Sequence, residues 1–254
     1  MPKLNAAERQ AQLVELLSKN EKVKIMELAD HFQVSRETIR RDMSALDKAG
    51  TLKKWAVGSE PVYDFKTQPV LTRMAEAQES KMKIGRKLLE LIPENAFLYL
   101  DTGSTTLSFA RLLKERSGYT VITNSIPVIS ELLDSGNELI ITGGTINPQV
   151  MSAMGAQTIS FLNCIKVDVA ILGTSGFDRH DGPSSNTFDD AQIKQTVIKN
   201  ARTNIVAADS RKATYSSLTQ YAKWEEIDRL ITDDGIPPEA LQRLSSVTDV
   251  IVVS

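Results

Sequence analysis

Apolar positions between residues 1 and 50 recur at helical spacing in three short groups separated by polar breaks. Leu13, Leu16 and Leu17 form the first, opened by Asn5 and Glu8 in a capping-box-like arrangement. After the polar run Ser18 to Glu21, the set Ile25, Leu28, Ala29 and Phe32 follows the i, i+3, i+4, i+7 rule and predicts a second amphipathic helix. Ser35 is a good N-cap for a third, which runs through Ile39, Met43 and Leu46 until Gly50. The turn between the second and third is about three residues long, the outline of a helix-turn-helix. At about 100° per residue, Ile39, Met43 and Leu46 face inward, and Glu37, Arg41, Ser44 and Lys48 lie opposite with Arg36 and Arg40 beside them. A recognition helix presents base-reading residues between phosphate-contacting ones in this way, although helical bundles that bind no DNA show the same spacing. Leu52-Lys53-Lys54-Trp55 followed by Gly58 predicts a strand and turn, the wing of a winged helix.

Residues 59 to 78 contain Pro61 and Pro69 without a clean period and read as a linker, so the expected organisation is 1–58, a linker 59–78, and a second domain 79–254. A helical stretch with Ile84, Leu88, Leu89 and Leu91 ends before Pro93. Strand-like apolar runs then follow at Ala96 to Leu100, Thr120 to Thr123, Leu139 to Thr142, Val167 to Leu172, Ile205 to Ala208, Leu230 to Thr232 and Val250 to Val253. Helix-compatible segments separate most of them, which predicts an α/β domain with a largely parallel sheet. Such sheets bind ligands at the carboxyl ends of their strands, so the residues after each run carry the interest. These are Asp101-Thr102-Gly103-Ser104-Thr105-Thr106, Asn124-Ser125, Gly143-Gly144, Gly173-Thr174-Ser175-Gly176 and Asp209-Ser210-Arg211-Lys212. A glycine with hydroxyl residues at a helix start suits phosphate, through backbone N–H groups and the positive end of the helix dipole; an ordinary N-cap turn has the same residues. Asp101 and Asp209 suit sugar hydroxyls or the capping of those turns, and Lys194 and Lys212 read as anion contacts or as solvated surface lysines.

Composition narrows the class. With 254 residues, 41% hydrophobic and 24% charged, the chain is long enough for a sizeable core plus a small module and falls in the ordinary globular range. Its longest apolar runs fall far short of the roughly 18 to 20 residues of a membrane helix. Met1 to Asn5 lacks the basic-then-apolar start of a signal peptide, and the single Cys164 forms no intrachain disulfide, so a reducing cytoplasm is the expected compartment. Two histidines and one cysteine leave too few soft ligands for a zinc site, and neither metal nor cofactor is expected. His31 is expected to be structural or exposed, whereas His180 is the histidine nearest the strand-end turns; Trp55 and Trp224 are expected to pack locally. Residues 1 to 60 carry 11 Lys and Arg against 9 Asp and Glu, and the excess concentrates between Arg36 and Lys54.

The run Val34-Ser35-Arg36-Glu37-Thr38-Ile39-Arg40-Arg41-Asp42-Met43, with Leu46 and Gly50-Thr51-Leu52, resembles the signature of the DeoR family of bacterial transcription regulators. The second half is similar to that family's sensor domain at Lys81-x-x-Ile84, Asp101-x-Gly103-Ser104-Thr105-Thr106, Thr123-Asn124, Gly143-Gly144, Val167-Asp168, Gly173, Gly176, Lys194 and Asp209-Ser210-x-Lys212. The resemblance implies a winged helix-turn-helix that contacts operator DNA through Ser35, Arg36, Glu37, Thr38, Arg40, Arg41, Ser44, Lys48, Lys53 and Lys54. It implies a sensor domain of the ribose-5-phosphate isomerase and CoA transferase-like fold, binding a phosphorylated sugar through Asp101, Gly103 to Thr106, Asn124, Gly143, Gly144, Gly173, Gly176, Lys194, Asp209 and Lys212. The chain departs from the family at the wing, where Lys54, Ala56 and Val57-Gly58-Ser59 replace the usual Arg, His and Gly-Gly-Ala, and at Asp190, where a Glu is common. The shorter Asp190 side chain is expected to fall about one methylene short of a ligand. The implied protein is a repressor of a carbohydrate operon acting as a dimer or tetramer. The competing reading is a sugar-phosphate isomerase with a DNA-binding appendage, although no compact acid–base constellation stands out.

Overall fold

The computed structural model describes residues 9, 10, 12, 13, 25–35, 38, 39, 42 and 70–254. The chain divides into two compact units, 1–62 and 63–254.

In the first unit, helix α1 spans Ile25–Phe32. Leu13, Leu28, Ala29, Phe32 and Ile39 are each buried, as positions on the apolar faces that the spacing predicts. Ser35 caps the next helical segment, its Oγ accepting from the Thr38 N–H at 3.1 Å. Asp42, the acidic residue of the Arg-Arg-Asp run, is buried and bound by Arg9 Nε at 2.5 Å and Gln10 Nε2 at 3.1 Å. That carboxylate ties segments more than 30 positions apart, so within the motif it serves packing. His31 is exposed, edge-on to Phe32. Arg36, Glu37, Arg40, Arg41, Ser44, Lys48, the wing with Lys53 and Lys54, Trp55 and the Asn5–Glu8 cap lie outside the described residues.

The second unit opens with a short helix, α2 (Val70–Met74), inside the stretch read as a linker. Val70 is buried, and α2 packs against a later helix; Pro69 disguised so short an apolar group as linker. Helix α3 (Gln78–Leu91) follows and buries Ile84 and Leu88 of the expected stripe together with Lys81 and Gly85, while Leu89 and Leu91 are half-buried. Strand β1 (Phe97–Leu100) leads to α4 (Ser104–Leu113), β2 (Thr120–Thr123), α5 (Ile126–Leu132) and β3 (Glu138–Ile141). A hairpin β4 (Thr145–Asn147) and β5 (Ser152–Met154) precedes α6 (Ala156–Asn163) and β6 (Val167–Leu172). Then come β7 (Ser184–Ser185), α7 (Phe188–Ile198), β8 (Ala201–Ala207), a 3₁₀ turn Ser210–Thr214, β9 (Thr219–Gln220), β10 (Arg229–Asp233), α8 (Pro238–Leu244) and β11 (Asp249–Val253).

The strand order β11-β10-β8-β6-β1-β2-β3 makes one seven-stranded sheet, parallel throughout. Its members correspond to the seven apolar runs. Central parallel strands are buried on both faces, which is why their sequences read as continuous apolar stretches. Leu98, Leu100, Val169 and Ile171 point to a core shared with α3, α4 and α5. Tyr99, Ala170, Leu172 and Val206 point to the other, shared with α6, α7 and α8. A fully buried Leu or Phe in such a layer contributes about 1.5–3 kcal/mol. Gly85 lets α3 and α4 approach, since a Cβ there would lie 2.9 Å from Leu112 Cδ1. Among the described residues no helix is long and apolar enough to cross a membrane.

From β1 the chain first winds outward through β2 and β3, then returns to place β6 on the other side of β1 and winds away through β8, β10 and β11. The reversal between β1 and β6 opens a crevice beyond their carboxyl ends, the place where open α/β sheets bind ligands.

Candidate functional site

A cleft lies at that reversal point, with about 740 Å³ of empty space including its open mouth. One wall is the turn between β1 and α4: Gly103, Ser104, Thr105 and Thr106 all line it. Thr106 Oγ1 donates to the Gly103 carbonyl at 2.9 Å and Ser108 Oγ to that of Ser104 at 2.9 Å, so these hydroxyls close the first turn. The first N–H groups of α4 have no partner within the helix, and they carry its positive end. Lys212 joins this wall from the 3₁₀ turn beyond β8. That turn is anchored by Asp233, whose carboxylate accepts from the Ser210 N–H at 2.7 Å and Ser210 Oγ at 2.8 Å. Burial lowers the Lys212 pKa; Asp209 opposes the shift, and repulsion from Arg73 and Arg211 adds to it. A ligand anion beside Lys212 relieves that cost.

The opposite wall is ionic and internally bonded. Asp101 is fully buried beneath the cleft, where its Oδ2 accepts from Lys194 Nζ and from the Gly173 N–H at 2.8 Å. Lys194 also pairs with Asp190 Oδ2 at 3.4 Å, lies 5.5 Å from the centre of the Tyr221 ring, and is 3% exposed. Asp190 Oδ2 accepts a further hydrogen bond from Ser185 Oγ. Tyr221 in turn donates to the Gly173 carbonyl at 2.8 Å. Burial opposes the Lys194 charge, but the two carboxylates outweigh it and raise its pKa. Burial and the nearby Asp190 charge raise that of Asp101 against the pull of Lys194, as two carboxylates sharing one cation require. Asp190 lines the cleft, and its Oδ1 is buried without a hydrogen-bond partner among the described residues. Asp190 thus stands at the cleft with its carboxylate held by Lys194 and Ser185.

Of the sensor residues singled out from sequence, Gly103 to Thr106, Gly173, Lys194 and Lys212 meet at the cleft. The others sit elsewhere, each for a packing reason. Asp101 is the floor beneath Lys194. Asn124 is buried, accepting from Tyr99 Oη at 3.0 Å and donating to the Ala153 carbonyl at 3.1 Å. The Gly143 carbonyl accepts from Thr158 Oγ1 at 2.7 Å, and Gly144 has φ +117° with Thr158 and Met154 packed where a Cβ would stand. Gly176 bridges to Ser184 against Tyr215. Asp209 is taken by Arg211 at 2.7 Å. His180 bonds the Ser217 carbonyl at 2.8 Å and does not line the cleft, and Trp224 packs edge-on to Phe177.

Sequence reasoning missed Arg73 of α2, Asn147 and Gln149 of the β4–β5 hairpin, and Asn186 and Thr187 ahead of α7, all of which line the cleft. Only Arg73 left a signal, the apolar group Val70, Leu71 and Met74 around it. Among the described residues no cluster of three His, Cys, Asp or Glu could hold a metal ion.

Comparison with known proteins places this geometry. Residues 9–59 match the DeoR-like helix-turn-helix domain and residues 76–234 the DeoR C terminal sensor domain. The chain is 29% identical to the HTH-type transcriptional regulator GlpR of Haloferax volcanii, over 97% of both chains. It is 31% identical to a putative aga operon transcriptional repressor of Escherichia coli O157:H7, over 97% of this chain and 94% of that one. The glycerol-3-phosphate regulon repressor of Escherichia coli K12 is 26% identical, over 95% and 96%. Among solved structures, a D-ribose-5-phosphate isomerase in complex with phospho-erythronic acid aligns at 20% identity and a TM-score of 0.40, over 53% of each chain.

Proposed function

The chain belongs to the DeoR family of transcriptional regulators, and from that premise we propose that it represses a carbohydrate operon and releases its operator when a phosphorylated sugar fills the sensor cleft. One observation carries the reading: the two walls of the cleft ask for different groups. Gly103, Ser104 and Thr105 at the start of α4, with Lys212 in the same cleft, suit a phosphate. Asp190, which lines the cleft and shares Lys194 with Asp101, suits a hydroxyl donor. A small polyol carrying one phosphate satisfies both. Asp101, Asn124, Gly143, Gly144, Gly176 and Asp209 then support the cleft without touching the ligand.

On the DNA side, Arg36, Glu37, Arg40, Arg41, Ser44 and Lys48 read the operator from the third helix with Ser35 and Thr38 at its start, and Lys53 and Lys54 hold backbone phosphate from the wing. A winged helix of this kind reads repeated half-sites as a dimer or larger assembly, and the cytoplasm is where it meets them.

Two measurements on the full chain test this. Calorimetry should show ribose 5-phosphate or glycerol 3-phosphate binding at least a hundredfold more tightly than ribose or glycerol, and equal affinities would sink the phosphate reading. On a duplex selected from a random pool, Arg41→Ala should lose about 1–3 kcal/mol of specific binding. An unchanged affinity at fixed salt removes the recognition-helix assignment.

A further inference from the structure

Arg73 lines the same cleft as Ser104 and Lys212, yet it comes from α2, at the start of the sensor unit, rather than from a strand end. α2 packs on α4, the helix whose first turn forms the anion wall. Its position is held from two directions. Lys81 of α3, 1% exposed, donates from Nζ to the Arg73 carbonyl at 2.5 Å and to the Glu76 carbonyl at 2.6 Å. An ammonium on the last carbonyls of a helix fixes that end against its dipole. Glu76 is then paired through Oε2 with Arg211 at 3.3 Å, and Arg211 adjoins Lys212 in sequence. The segment 73–76 is thus fastened to α3 and to the turn that carries Lys212.

Electrostatics point Arg73 toward an anion. Burial lowers its pKa, and the carboxylates of Asp190, Asp101, Glu76 and Asp209 offset that only in part. Lys212 beside it is depressed for a related reason, the Arg73 charge among its causes. Arg73 and Lys212 line one cleft, the Arg73 charge lowers the proton affinity of Lys212, and a dianion bound between them favours the charged form of both. A guanidinium adds what an ammonium lacks, a planar pair of donors matched to two phosphate oxygens.

We infer that Arg73 is a further phosphate contact of the cleft and that Lys81 is the positioning residue that holds it, so that effector occupancy is registered on the segment by which the chain arrives from the DNA-binding unit. This rests on the proposed reading of the cleft as a sugar-phosphate site. Val70 stands only eight positions beyond Val62, where the first unit ends.

The test uses the full chain, with inorganic phosphate, glycerol 3-phosphate and ribose 5-phosphate as calorimetric probes. Arg73→Ala should weaken whichever probe binds by at least tenfold, and Arg73→Lys should recover only part of the loss. Lys81→Met should weaken it severalfold in the unmutated background and not at all in the Arg73→Ala background, a non-additivity that general loosening of the fold does not produce. Should Lys81→Met fail to fold, the two Arg73 variants carry the test. In gel shifts, Arg73→Ala should bind the selected duplex normally without effector and stay bound even at effector concentrations that saturate the variant. If no probe binds the unmutated protein, the sugar-phosphate reading falls and this inference with it. Unchanged affinity in Arg73→Ala overturns the inference alone. Normal duplex release from a saturated Arg73→Ala variant overturns its regulatory part.

Discussion

The two walls of the cleft use the same ingredients to opposite ends. At the Lys194 wall the ammonium is matched by two carboxylates of the protein itself, Asp101 and Asp190. At the Lys212 wall the carboxylates of Asp209 and Glu76 are offset by the cations Arg73 and Arg211, and burial leaves the Lys212 pKa lowered. Both walls stand at strand ends of one parallel sheet. The difference is whether the counter-charge of the fold suffices: it raises the pKa of Lys194 and does not restore that of Lys212. The first wall should therefore be sensitive in stability and the second in binding.

The largest effect is expected at Lys194. Lys194→Met leaves two buried carboxylates facing one another, and removing one partner of such a cluster costs about 3–5 kcal/mol. Urea unfolding followed at Trp224, in a Trp55→Phe background, measures it. A loss below about 1 kcal/mol would mean that the carboxylates find water, and the contrast between the walls would collapse.

Lys212→Ala should behave the other way. Effector affinity should fall by about 1.5–3 kcal/mol, the size of a hydrogen bond to a charged group, while the unfolding midpoint moves little. A variant that loses stability instead of binding would move Lys212 to the structural side. Ser104→Ala is the milder probe of the same wall, with an expected loss of about 1 kcal/mol in calorimetry against a sugar phosphate.

The smallest effect is one of pH. Burial pushes Asp209 up, but the hydrogen bond from Arg211 and the charges of Lys212, Arg211 and Lys81 outweigh it and leave its pKa below the usual carboxylate range. Its contribution to stability is therefore present above the unfolded value of about 3.9 and disappears as pH falls through the lower folded value. The difference in unfolding midpoint between the unmutated protein and Asp209→Asn should be full at pH 6 and shrink below pH 4. A difference that stays constant across that range would show that Asp209 acts through shape rather than charge.

How much of this was legible in the chain varies with distance along it. The seven sheet strands were legible because strands buried on both faces are apolar at successive positions, as in Val167 to Leu172. The hairpin β4–β5 was not, since Thr145–Asn147 and Ser152–Met154 are too short for a pattern to repeat. Gly103 to Thr106 could be picked out because a strand end, a glycine and a helix start are contiguous. The partner of Lys194 could not, because Asp101 lies 93 positions away, and neither could the cleft role of Arg73, whose short apolar group marks a helix but not what that helix packs against.

By itself, the sequence determined the seven strands of the main sheet and the longer helices, the apolar faces, and the contiguous motifs Ser35 to Asp42 and Asp101 to Thr106, because these depend on neighbours within a few residues. Only the tertiary structure decided which polar turns share a cleft. Alternation and apolar runs report how deeply a strand is buried but not which strand lies beside it. That neighbour is chosen by how the connections cross the sheet and how helices cover its faces. The placement of β6 against β1 brought Gly173, and with it Lys194 and Lys212, to the turn at Gly103. It left Gly143 and Gly144 outside the residues that line the cleft, with Gly144 packed against Thr158 and Met154.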